Sequence, residues 1–216
     1  MKKEAKKILT IIKATPKLKL NIIASIISLI IGIVFLALSS SAIGLICTSS
    51  CTIFIHQAIM LPTGSGLVQS SSSAKKLQAF YHFIVQLLCS IIIYTFFTFY
   101  YMYISEISAI EMSPSSFFII FYSYMIATFQ IIETLNCKCF GLGTICALLP
   151  IFLLLVKAFN HESNNLLNLV FSLNPTNAVI IGYLIIIVGS LLSILLANLL
   201  YKYPISAHVM KANTKA

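Results

Sequence analysis

NAVIIGYLIIIVGSLLSILLANLLY, residues 177 to 201, runs without one charged side chain. A helix needs about 20 mostly apolar residues to cross the hydrocarbon of a bilayer, and this stretch supplies them with length to spare. The rest of the chain has the same character. Of 216 residues, 59% are hydrophobic and 9% charged, against about 25% charged in soluble domains. A soluble fold of this size cannot hide so much apolar surface and keep a wettable exterior. Lipid is therefore the solvent for most of the chain, and an all-α integral membrane protein is expected.

Along the whole chain, six windows reach or approach spanning length: 20–39, 42–61, 80–104, 116–135, 140–157 and 177–201. The second is the weakest, because CTSSCT, Cys47 to Thr52, interrupts it and His56 lies near its end. The lysines then orient the spans. All fourteen basic residues are Lys, with Arg and Asp absent. With the N-terminus in the cytoplasm, the inner segments are 1–19, 62–79, 136–139 and 202–216, and they hold thirteen of the fourteen lysines. The outer segments 40–41, 105–115 and 158–176 hold none, although Lys157 sits at an edge, and Glu106, Glu111 and Glu162 fall outside. Such sorting follows the excess of cytoplasmic Lys and Arg in membrane proteins. The expected organisation is a six-helix transmembrane domain over 20–201 with a cytoplasmic loop at 62–79 and a cytoplasmic tail at 202–216. Both termini are expected to face the cytoplasm, and the membrane expected is a bacterial plasma membrane.

Residues 1–19 carry more than charge. At 100° per residue, Lys2, Lys3, Lys6, Lys7, Lys13 and Lys17 fill one arc, and Ala5, Ile8, Leu9, Ile11 and Ile12 fill the opposite one. That pattern predicts an amphipathic helix lying in the membrane interface, with Pro16 breaking it before the first span. A lysine-rich start followed by an apolar run and LSSSA imitates a cleaved leader. The apolar run from Leu20 nevertheless exceeds the roughly 7–15 residues of a secretory core, so a retained span is expected.

The +9 net charge does not point to nucleic acid. Base and phosphate readers lean on Arg forks, and these lysines cluster beside apolar helices, where anionic lipid attracts them. Transport or catalysis within lipid usually needs ionisable groups facing the bundle interior. The candidates, Glu133, His56 and His82, all lie near span ends, and no span carries a charge at its centre. Cys47 and Cys51 are one turn apart, and Cys137, Cys139 and Cys146 are spaced unlike a zinc site. No metal or other cofactor is expected, and Cys137 and Cys139 read as reduced cytoplasmic thiols. Nucleophile, zinc-protease and phosphate-loop signatures are missing, so the chain is not expected to be an enzyme. Small residues at helical spacing, Ser25, Ser28 and Gly32 in the first span and Gly189, Ser193 and Ala197 in the last, let helices approach closely in lipid. They serve either packing within one chain or a dimer face.

One segment resists the bilayer: LPTGSGLVQSSSSAKK, Leu61 to Lys76. Gly64 and Gly66 permit a turn after Pro62, and the residues from Leu67 onward can continue as a polar-to-amphipathic helix entering the third span. With an N-terminal interfacial helix and a long cytoplasmic loop after span two, the chain resembles the permease subunits of type-2 ABC exporters, in the small bacterial six-helix class. In that family an LP followed by Thr closes span two, a basic segment starts span three, and a Tyr-basic-x-Pro-Leu-Ser run ends span six. The matching residues are Leu61, Pro62 and Thr63, then Lys75, Lys76 and Leu77, and finally LLYKYPIS, Leu199 to Ser206. Gly64, Ser65 and Gly66 stand where the family carries basic residues. The resemblance implies that the loop docks a separate ATP-binding subunit, with Leu67 and Val68 as its apolar anchors. It also implies that the permease works as a homodimer or a heterodimer with a second permease. A competing reading is a six-span protein that transports nothing, such as a peptide-immunity or sensor component.

Overall fold

The computed structural model of the chain describes residues 18–37, 41–60, 82–108, 112–136 and 172–203, with Thr10, Lys13, Lys75, Lys76, Phe80 and Lys138 as single positions. Five helices make up these segments: α1 (Leu18–Ala37), α2 (Ser41–Met60), α3 (His82–Ser108), α4 (Met112–Asn136) and α5 (Pro175–Leu199). A 3₁₀ turn, Leu200–Lys202, continues α5. Four stretches are long and apolar enough to cross a membrane: Leu18–Leu36, Phe83–Tyr103, Ser116–Asn136 and Pro175–Lys202. The chain is a multi-pass membrane protein. Window 140–157, the amphipathic segment with Ile8, Leu9 and Ile12, and most of the loop 62–79 lie outside the described residues.

The five observed helices coincide with five of the expected windows, with shifted ends. α3 runs on to Ser108 and α4 starts at Met112, so the connection expected over 105–115 contracts to 109–111. Pro114 does not prevent this, because the first turn of a helix has no intrahelical acceptor for the missing N–H. α5 opens as its sequence implies. The Asn174 side chain accepts from the Thr176 N–H at 3.4 Å, with Pro175 at the first helical position.

Of the five, α2 has only a shorter apolar stretch, Ile46–Ile55, and the structure explains how lipid tolerates it. Thr48 donates to the Gly44 carbonyl, Ser49 and Ser50 both to that of Ile46, and Thr52 to that of Ser49, at 2.6 to 2.9 Å. Hydroxyls folded back onto carbonyls three or four residues earlier satisfy themselves without water. The CTSSCT run therefore costs the helix little, and its small side chains become a packing surface.

That surface meets α1. Between helices in lipid there is no hydrophobic driving force, so close packing and interhelical hydrogen bonds hold them together. Ser25 Oγ lies 2.8 Å from Cys51 Sγ, and Ser28 Oγ donates to the Cys47 carbonyl at 2.6 Å. A Cβ on Gly32 would run into the Thr48 methyl and lie 2.8 Å from the Thr48 backbone nitrogen. The stripe in the last span is spent in the same way. A Cβ on Gly189 would sit 2.6 Å from that of Ala127, and Ser193 shares a hydrogen bond with Thr134. Ser25, Ser28 and Gly32 of the first stripe and Gly189 and Ser193 of the second thus pack within one chain.

α4 is the central helix. It buries residues on every side, among them Ile119, Tyr122, Met125, Ile126 and Gln130, and it touches α2, α3 and α5, while α1 packs on α2. Pairs of contacts fix the directions. Ser25 beside Cys51 and Ser28 beside Cys47 make α1 and α2 antiparallel. Ser90 at the level of Gln130 and Tyr101 beside Phe118 make α3 and α4 antiparallel. α4 and α5 run parallel: Ser116 donates to the Leu173 carbonyl at one end, and Lys138 Nζ donates to the Tyr203 carbonyl at the other. Consequently Lys19, Lys75, Lys76, Lys138 and Lys202, from four separate segments, lie at one end of the bundle.

Candidate functional site

The interior is divided between two chemistries. Toward the end without described lysines it is aromatic. Phe97 lies 3.9 Å centroid to centroid from Tyr122, Tyr94 meets Tyr183 edge-on at 4.9 Å, and Tyr101 and Phe118 continue the cluster. The tyrosines find partners where they can: Tyr94 donates to the Val179 carbonyl at 3.3 Å, and the Tyr183 and Thr95 hydroxyls are 2.7 Å apart. Aromatic bodies with anchored polar tips make this half a packed block.

Toward the lysine end the interior is polar. Gln130 is its hub, with 1% of its surface exposed. Its amide donates to Ser90 Oγ on α3 at 2.7 Å and accepts from Ser190 Oγ on α5 at 2.8 Å. One turn further along α4, Thr134 pairs with Ser193. A single side chain therefore ties three helices. Glu133 lies toward Gln57 of α2. Gln86 Oε1 on α3 and Asn21 Nδ2 on α1 are buried at this same end without a hydrogen-bond partner. The Tyr122 hydroxyl in the aromatic half is buried unpartnered as well, and because such an atom in low dielectric is costly, each of these positions favours hydration or a polar ligand.

At the lysine end itself, Tyr201 is the meeting point. Lys75 Nζ lies 5.8 Å from its ring centroid and Lys138 Nζ lies 5.9 Å away, both within cation–π range. The segment between α2 and α3, the end of α4 and the end of α5 are thus joined at one aromatic ring.

Of the residues singled out by sequence, Lys75 and Lys76 are exposed at this end, and Lys75 is held against Tyr201. Leu61, Pro62, Thr63, Leu67 and Val68 lie outside the described residues, as do the side chains of His56 and His82. Glu133 lies toward Gln57 across the α2–α4 contact. Cys51 is buried against Ser25, and Cys47 presents its carbonyl to Ser28, so both belong to the α1–α2 contact. The Gln130 hub was not among the sequence candidates. The signal available was a lone Gln among apolar residues, with Ser90, Ser190 and Ser193 in other spans as hydroxyl partners. Compared with protein-family models, curated proteins and solved structures, the chain matches none.

Proposed function

We propose that this chain is the membrane-spanning permease subunit of an ATP-driven exporter in the bacterial cell membrane. It forms the translocation path and is coupled to a separate ATP-binding subunit, working as a dimer of permeases. The observation that carries this reading is the convergence at Tyr201. Lys75, from the loop proposed to dock the ATPase, packs on the YKY end of α5, so two widely separated stretches that resemble the exporter family meet at one face. A force applied to the loop would pass directly into α5 and α4.

Six crossings with both termini cytoplasmic complete the reading, and parallel α4 and α5 support them. A chain leaving Lys138 at one face must return to Leu173 at the other, about 30 Å away. That distance takes about 20 helical residues, and the intervening stretch contains the apolar window 140–157. The gathering of lysines at one end supports a cytoplasmic assignment for that end.

The test is Leu67→Asp with Val68→Asp. Both residues stand in a polar segment outside the spans, so the variant should insert and extract as the parent does. It should lose co-purification with the ATP-binding subunit and lose permease-stimulated ATP hydrolysis. Retention of both activities would remove the loop as docking site. Failure of any ATPase to co-purify with the parent chain would favour the six-span protein that transports nothing.

A further inference from the structure

The parallel pair α4–α5 carries, on the side away from α3, an apolar groove of about 480 Å³. Tyr124, Thr128 and Ile131 of α4 and Ile185, Val188 and Leu192 of α5 are among its walls. Gly189 against Ala127 forms its floor. Of the two hydroxyls on the α4 wall, that of Thr128 is spent on the Tyr124 carbonyl at 2.7 Å, and the Tyr124 phenol is the other, so the lining is otherwise apolar. Leu184, Val188 and Leu192 are about half exposed along its rim, and the groove opens sideways toward lipid.

Both walls lead to lysines. On α4 the row Tyr124, Thr128, Ile131, Leu135 leads toward Lys138, whose N–H donates to the Leu135 carbonyl at 3.0 Å in a turn just past the helix end. On α5 the row Val188, Leu192, Leu195, Leu199 continues to Lys202 at the same spacing of three and four residues. The Lys138 ammonium, donating to the Tyr203 carbonyl at 2.8 Å, spans the two walls at that end. The Tyr201 ring holds Lys75 nearby. The chain has no Asp at all. Positive charge at the mouth of an apolar groove, at interface depth, is complementary to one class of molecule: an amphiphile with an anionic head and a hydrocarbon tail.

We propose that the α4–α5 groove is a binding site for an anionic phospholipid, with one acyl chain lying between Ile131 and Val188 and the phosphate at Lys138 and Lys202. Lys138 then has two functions, tying α4 to α5 and holding the headgroup. The site does not depend on the transport reading and requires no ATPase.

The experiment uses the full chain purified in a mild detergent, with phosphatidylglycerol added at sub-stoichiometric to ten-fold ratios and retention read by native mass spectrometry. Phosphatidylcholine of the same chains and inorganic phosphate are run in parallel. The parent should retain one phosphatidylglycerol per chain at least five-fold more than phosphatidylcholine, and excess inorganic phosphate should not displace it. Lys138→Gln with Lys202→Gln should erase that preference, and Lys138→Arg with Lys202→Arg should restore it. Val188→Trp, a change at an exposed rim position, should reduce retention of both lipids while leaving the lysines in place. Equal retention of the two lipids by the parent would reduce the groove to ordinary lipid contact and overturn the proposal. So would a preference that survives the double Gln variant. Absence of any retained lipid would mean that something else, such as the chain's own segment 140–157 or a second copy, fills the groove, and would overturn it equally.

Discussion

Gly32→Leu should cost this protein more than any other single change in the first hairpin. The α1–α2 contact depends on a missing side chain. A Cβ at position 32 meets not only the Thr48 methyl but the Thr48 backbone nitrogen, 2.8 Å away. A side-chain tip can rotate aside, but backbone cannot, so the two helix axes must separate. Overpacking a well-filled contact costs about 1–3 kcal/mol. Here the obstacle is the main chain of a helix, and separation also breaks Ser28 to Cys47 and Ser25 to Cys51, so a loss at or above the upper end of that range is expected. Ser25→Cys supplies the readout, because Ser25 Oγ and Cys51 Sγ are 2.8 Å apart. On mild oxidation that variant should form an α1–α2 disulfide rapidly, and adding Gly32→Leu should slow it at least ten-fold. Ile31→Leu, at a lipid-facing neighbour, should change nothing. An unaltered oxidation rate with Leu at position 32 would show that the helices do not pack this way.

The second large effect belongs to Gln130. Replacing it by Leu keeps the volume and removes the bonds to Ser90 and Ser190 together. Interhelical hydrogen bonds in lipid average about 0.6 kcal/mol and reach about 1.7, so two of them on one residue predict a loss of about 1–3 kcal/mol. The freed serines can fall back on their own helix carbonyls, which holds the loss below that of a stranded buried charge. The check is reversible unfolding in mixed micelles. Gln130→Leu should lower the unfolding free energy, Ser90→Ala should lower it by less, and the combination should cost no more than Gln130→Leu alone. Full additivity of the two changes would mean that Ser90 and Gln130 do not interact.

Which parts of this architecture the sequence announces depends on the physics of each signal. Spanning helices announce themselves, because insertion depends on summed hydrophobicity over about 20 residues and needs no tertiary context. α1, α3, α4 and α5 were legible for that reason. α2 was legible only as a doubtful span. The Ser and Thr residues that weaken its apolar signal repay their polarity through bonds to the preceding turn, which a hydropathy count does not see. The small-residue stripes were visible as spacing, but their partners were not. Ser25 and Gly189 read alike whether they face a second copy or their own chain, and only the Cys51 and Ala127 contacts decide. The polar hub was least legible, since one Gln per helix gives no periodicity and its value lies in three helices meeting. The meeting of Lys75 with Tyr201 was equally hidden, because it joins residues far apart in sequence.

Parallel packing of α4 and α5 is the feature on which the rest of the architecture depends. It sets Lys138 and Leu173 at opposite ends of the bundle and gathers the described lysines at one face, with Lys75 at the Tyr201 ring beside the end of α5. Single cysteines at positions 70, 109 and 172, introduced into a chain lacking its six native cysteines, test it in intact cells with a membrane-impermeant thiol reagent. Positions 109 and 172 should be labelled from outside. Position 70 should be labelled only after the membrane is opened. Labelling of 70 and 172 from the same side would contradict the parallel arrangement within a membrane, and with it the six-crossing permease.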